Sequence, residues 1–150
     1  MRLFLLLTLA ALAGACGRRV ESWPNGARRS EGPLDWSGRR EGEWSSWYPD
    51  GELRERGSFR EGRREGLWRQ WYASGQKHSE GLRRWDEGAR ASLREDPWRF
   101  WFENGQLRGE GRYERGLPVG EWRWWTDLGS LDVGRSGRFE AGERVAPPGG

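Results

Sequence analysis

The sequence is poor in the side chains that build most protein interiors and most active sites. It has one cysteine, one histidine and one methionine in 150 residues, and Lys77 is its only lysine. A single thiol, Cys16, closes no internal disulfide. A single imidazole, His78, leaves the serines without a base nearby in sequence, so acyl-transfer chemistry of the Ser–His kind is not expected. No His/Cys/Asp cluster has metal-ligand spacing, and no phosphate-cradling loop opens a helix. Leu, Ile and Val are too scarce after residue 16 for an ordinary two-layer core. Charge of one sign is missing too: 26 basic and 23 acidic residues are interspersed, giving +3, or +2 without Arg2. A concentrated basic footprint, the usual mark of nucleic-acid binding, is therefore absent.

What is present is twelve Trp, 24 Gly and 33% charged residues, with a mean hydropathy of −1.02. The polarity alone suggests disorder, but disordered segments are usually poor in aromatics. Each indole can bury a large area. The expected core is therefore aromatic and thin.

The one long apolar run is at the start, MRLFLLLTLAALAGAC. Arg2 gives a positive n-region. Leu3 to Ala13 is an h-region of 11 residues, short of the ~20 that span a bilayer. Ala13-Gly14-Ala15 fits a small-x-small cleavage site. Residues 1–15 are expected to be a signal peptide, and Cys16 resembles the acylated cysteine of a bacterial lipoprotein. Ala13 stands where a larger apolar residue is typical, so an ordinary secreted protein cut after Ala15 is the alternative. An acyl chain would anchor the protein to a membrane without spanning it. Gly17, in place of the Asp that resembles an inner-membrane retention signal, favours the outer membrane in a Gram-negative cell. Residues 16–22 are expected to be a tether.

From Trp44 a frame repeats: WSSWYPDG at 44, WRQWYASG at 68, WRFWFENG at 98 and WRWWTDLG at 122, spaced 24, 30 and 24 residues apart. Second halves also match, with GSFREG at 57, GRYERG at 111 and GRFEAG at 137. WPNGARRSEG at Trp23 is a partial copy in which Trp23 takes the place of Tyr48. Residues 23–143 are thus expected to be one repeat domain, with 144–150 a disordered tail. The third unit has six extra residues in WDEGARASLREDP, 85–97. The last, with LGSLDVGRSG, is expected to have a longer second strand.

Gly42-Glu43-Trp44, Trp47-Tyr48, Asp50-Gly51, Leu53 and Gly57-Ser58-Phe59-Arg60-Glu61-Gly62 together resemble the MORN repeat (membrane occupation and recognition nexus), in its bacterial variant. The resemblance covers about residues 23–143. It implies an all-β fold and a repetitive antiparallel β-meander of stacked hairpins, forming a single elongated sheet. Some bacterial members are labelled antitoxin-like, and the wider family includes enzymes with the repeats attached as accessory modules.

Period-two alternation assigns the faces. One face is expected to carry Trp44, Tyr48, Trp68, Tyr72, Trp98, Phe100, Phe102, Trp122 and Trp124, with Leu53, Phe59, Leu107 and Tyr113. Gly57, Gly81, Gly111 and Gly137 fall in the matching second strands. There a neighbouring Trp ring is expected to cover the gap a missing side chain leaves, so Gly111→Val should destabilise the array. Arg and Glu alternate as solvated cross-strand pairs.

Trp47, Trp71, Trp101 and Trp125 recur three places after each leading Trp and point to the opposite face. Either the sheet curls so that they meet its own hairpins, or they stay partly exposed as a binding stripe. They are the candidate binding residues, with tract 85–97 as a second candidate contact. Glu61, Glu65, Glu114 and Glu140 follow the repeat, as scaffold residues do. The expected protein is not an enzyme and needs no cofactor or metal. It is a cell-envelope lipoprotein anchored at Cys16 that binds a protein or an envelope polymer. The alternative is an antitoxin-like protein that neutralises a toxin by direct binding.

Overall fold

The computed structural model describes residues 17–149. The expected signal peptide and Cys16 lie outside the described residues. Among the described residues eleven antiparallel strands form one open sheet in chain order. They are β1 (Arg18–Ser22), β2 (Arg28–Pro33), β3 (Gly42–Trp47), β4 (Leu53–Arg60), β5 (Arg63–Trp71), β6 (Lys77–Asp86), β7 (Ala91–Trp101), β8 (Leu107–Glu114), β9 (Leu117–Trp124), β10 (Gly137–Glu140) and β11 (Glu143–Ala146). The expected all-β meander is the observed fold, and each strand pairs only with its neighbours in sequence.

Two turn types alternate along the two long edges. Pro49-Asp50-Gly51 is a three-residue loop in which Tyr48 N–H donates to Glu52 O at 2.8 Å and Gly51 has a φ of 96°. Asp50 Oδ1 accepts from Glu52 N–H. This is a type I turn followed by a left-handed residue that glycine fills without strain. On the opposite edge Glu61-Gly62, Arg115-Gly116 and Ala141-Gly142 have both φ values positive, as a two-residue type I′ hairpin requires. Gly66, with a φ of 75°, lies inside β5.

Both ends of the domain are longer than expected. Residues 18–22 are an edge strand rather than tether, paired from Arg18↔Pro33 to Ser22↔Arg28, so the N-terminal copy is a full hairpin. Residues 143–146 form β11 against β10 rather than free tail. The 85–97 tract is mostly strand: it prolongs the β6–β7 hairpin through Trp85↔Ser92 and Asp86↔Ala91, leaving only 87–90 as turn. Arg63–Glu87 (3.0 Å) and Arg115–Asp86 (2.9 Å) pair the extension with charges at the two flanking turns. In the last unit the added residues lengthen no strand. Residues 125–136 form an excursion whose one ladder pair is Trp125↔Leu131; Asp132 N–H donates to Trp124 O and Trp124 N–H to Ser136 Oγ, both at 2.8 Å, and β10 has four residues.

The core is one row of rings on one face. Trp44, Phe59 and Trp68 form one buried cluster, and Trp98, Phe100 and Trp122 another. Phe59 meets Trp44 and Trp68 edge-on at 6.1 and 5.2 Å. Full burial of a large apolar side chain stabilises by about 3 kcal/mol, whereas an exposed ion pair contributes about 0–1 kcal/mol. The rings, not the charges, hold the sheet together.

Glycine makes this possible. A Cβ at Gly57, Gly81 or Gly111 would meet the indole of Trp68, Trp98 or Trp122 at 2.2–2.3 Å, and Gly32 and Gly109 stand in the same relation to Trp44 and Trp124. Gly137 differs from the expectation. It has no later Trp to receive, and a Cβ there would instead meet the Ala146 carbonyl oxygen at 2.3 Å.

Candidate functional site

The four candidate tryptophans sit where each hairpin leaves regular pairing. Ser46 pairs with Glu55 but Trp47 pairs with Leu53, so Arg54 is an extra residue in β4. The same bulge recurs at Trp71↔Lys77 and Trp101↔Leu107, with His78 and Arg108 as the extra residues. A bulge changes which face the following residues occupy. Leu53 and Leu107 therefore join the second tryptophan row, and neither belongs to the buried clusters. This corrects their expected place in the main row; alternation alone fails at the bulge.

The carbonyl behind three of these residues is held by the preceding unit. Tyr48 O–H donates to Trp71 O and Tyr72 O–H to Trp101 O, both at 2.9 Å. Trp23 Nε1–H donates to Trp47 O at 3.1 Å, so Trp23 does the work of a tyrosine in the N-terminal copy. Phe102 has no hydroxyl, and at Trp125 the backbone N–H instead donates to Arg108 O at 2.9 Å.

Trp47, Trp71, Trp101 and Trp125 are all half-buried. The strands keep chain order across the sheet, and none of the four rings is among the buried core residues. Cations cover part of the row: the Arg28 guanidinium carbon is 5.2 Å from the Trp47 ring centre, and Lys77 Nζ is 4.9 Å from that of Trp101. Such contacts are worth about 0.5–1 kcal/mol each at an exposed site.

Beside this row the register places a charged one: Ser45, Arg56, Arg69, Glu80, Arg99, Glu110 and Arg123 on successive strands. Glu80 lies 3.0 Å from Lys77 and 3.6 Å from Arg69, and Glu110 lies 3.4 Å from Arg99. A shallow depression lined by Leu67, Arg69, Leu82, Pro97 and Arg99 continues this face. The surface combines flat aromatic area with forked donors, the composition favoured at binding hot spots.

Of the glutamates that follow the repeat frame, Glu65 has a structural role that it shares with two others, Glu41 and Glu95. Glu41, Glu65 and Glu95 each accept a backbone N–H from the residue twenty places on: Glu61, Trp85 and Arg115. His78 is half-buried, stacks edge-on against Tyr72 at 4.7 Å and shares a hydrogen bond with Ser79 Oγ at 3.2 Å. Burial, with Arg108 and Arg94 nearby, lowers its pKa.

One feature of the surface was missed in the sequence. Trp36 is 82% exposed, on the turn between β2 and β3. Asp35 Oδ1 accepts from Ser37 N–H, Ser37 O–H and Arg39 N–H, and Asp35 Oδ2 from Arg39 Nε–H at 2.8 Å. Partial burial would raise the Asp35 pKa, but these donors outweigh it and hold it at about 2. The signal was Asp-Trp-Ser-Gly, a turn motif with a tryptophan outside the repeat frame.

Three segments of the chain match the family model of the MORN repeat variant: residues 40–61, 64–83 and 97–115. Each begins just before the positive-φ residue that precedes a leading Trp, or at the residue after it, and runs through one hairpin. The N-terminal hairpin, β1–β2, repeats the same turn and bulge outside the matched segments. No curated protein matches the chain.

Proposed function

We propose that this chain, as a stack of MORN-variant repeats, is a non-catalytic binding scaffold of the bacterial cell envelope. It is held to a membrane, in a Gram-negative cell the outer one, by an acylated Cys16. It captures a protein or an envelope polymer through the second tryptophan row. One observation carries the reading. Trp47, Trp71, Trp101 and Trp125 occupy equivalent positions on one face and stay half-buried, although a sheet that needed them only for its core would cover them. Their spacing is fixed by backbone pairing, so a partner meets a preorganised surface with little to lose in ordering it.

Replacing the four tryptophans together by Thr should abolish partner capture in a crosslinking pull-down from native envelopes while the β circular-dichroism signal persists. Unchanged capture removes this face from the function. A Cys16→Ala variant should leave the membrane fraction; if it stays there, the anchor is wrong. A tight one-to-one complex with a toxic protein, whose toxicity is lost on binding, would turn the reading toward neutralisation.

A further inference from the structure

The face opposite the second tryptophan row carries an imbalance of charge that the repeat itself makes visible. Arg40, Arg64 and Arg94 are equivalent residues, each lying over the leading Trp of its unit. Their guanidinium carbons are 4.2, 4.1 and 4.8 Å from the ring centres of Trp44, Trp68 and Trp98. Two of them have a carboxylate. Arg40 lies 3.5 Å from Glu21, and Arg64 grips Glu55 with two bonds of 3.0 and 2.8 Å. In the next unit the place of Glu55 is taken by Ser79, which is 1% exposed and donates to Gln70 Oε1. Arg94 is left with the Tyr113 hydroxyl as its hydrogen-bond partner.

A second arginine is added at the same spot. Arg83 occupies the repeat position that Phe59, Tyr113 and Phe139 hold elsewhere, and it pairs directly across the ladder with Arg94. Both guanidinium carbons lie over Trp98, at 5.6 and 4.8 Å. Like charges directly opposite are destabilising in a sheet, and here burial and the neighbouring Arg64 and Arg94 also disfavour the charged form of Arg83. The other charged or titratable groups nearby are Glu55, already engaged by Arg64, with His78 and Arg108.

We infer that Arg83 and Arg94 over Trp98 form a site for a carboxylate supplied from outside, from an Asp or Glu side chain of an acidic peptide segment in a partner protein. The neighbouring unit shows the mode, with the Glu55 carboxylate bidentate on the equivalent Arg64 above its Trp. Forked guanidinium donors suit such a group. The aromatic floor keeps the donors in place and lowers the competition from water.

The test uses the whole chain titrated at low salt with a hexaglutamate peptide, read by tryptophan fluorescence and by the guanidinium NMR signals. Saturable binding is expected, weakened at least tenfold by Arg94→Met and by salt. Ser79→Glu supplies the missing carboxylate from within, and Arg83→Phe restores the aromatic of the other units. Each should weaken binding at least tenfold while the melting temperature holds or rises. The Arg83→Phe arm keeps the test decisive if Glu proves too large at position 79. Absence of hexaglutamate binding, or binding unchanged in Arg94→Met and Arg83→Phe, overturns the site. Inorganic phosphate competing as well as the peptide at equal charge overturns the carboxylate assignment. The readout does not depend on partner capture by the second tryptophan row, so either idea can fail without the other.

Discussion

Replacing Gly111 by Val sets two physical effects of opposite sign against each other. Strand propensity favours the change: Gly costs a strand backbone entropy, and Val gains up to about 1 kcal/mol on host scales. Packing opposes it. A Cβ at this position would lie 2.2 Å from Trp122 Cδ2 and 2.3 Å from Cε2, far inside contact distance, before the γ-methyls are counted. Trp122 is 1% exposed, so its ring is closely packed where it lies. It must tilt off the sheet, breaking its Nε1–H bond to Arg112 O at 3.0 Å and its contacts with Tyr113 at 4.9 Å and Trp124 at 5.4 Å.

The hydrogen bond is worth about 1 kcal/mol, and each aromatic pair about 0.5–1.5 kcal/mol beyond burial. Lost burial of part of the indole adds about 1–2 kcal/mol. A net loss of about 3 kcal/mol survives the propensity gain, and for a domain of this size that lowers the melting temperature by about 10 °C. Thermal melts by far-UV circular dichroism measure it. Gly134→Ala is the control, because its Cβ would make only an ordinary contact of 3.4 Å with Asp132 Oδ1. A melting temperature for Gly111→Val at or above that of the parent protein would refute the account of why glycine faces each leading Trp.

Tyr72→Phe removes the O–H bond to Trp101 O and should cost about 1 kcal/mol, a fall of about 3 °C in melting temperature; no fall would mean that the inter-unit bond contributes nothing. Asp35 has its pKa depressed to about 2 from 3.8, so its contribution is complete above pH 4 and is lost as pH falls from about 4 to 2. Acid titration should loosen the 35–39 turn in that window, seen as a change in Trp36 fluorescence polarisation, and Asp35→Asn should remove the transition. His78 has a folded pKa below its usual 6.5, so the unfolded chain binds the proton first and stability should decline as pH drops below about 6.5. Melts between pH 7 and 5 should show that decline in the parent protein and a smaller one in His78→Gln.

Much of this fold is legible in the chain itself. The Trp–x–x–Trp frame, the turn glycines after it, as in Pro-Asp-Gly, and the glycines facing bulky rings are local requirements, and each repeats often enough to fix hairpin, order and edge. The place of Trp23 as a substitute for Tyr48 was equally readable, because both need only a donor on an aromatic ring. The candidate site was half legible. Its residues were visible as a second period-two row, but not their half-buried state or the capping by Arg28 and Lys77, which depend on residues a whole unit away.

The amino-acid sequence by itself determined that the chain is a stack of hairpins with an aromatic row, because turn geometry and side-chain size act within a few residues. Only the tertiary structure decided which face Leu53 and Leu107 share, since a single extra residue in a strand reverses the faces and any side chain can be that residue. Only it turned residues 18–22 and 143–146 into strands, because a polar segment pairs when a neighbouring edge offers unsatisfied N–H and C=O groups. And only the register set Arg83 against Arg94 over one indole: eleven residues apart in sequence, they meet because the β6–β7 hairpin brings them together.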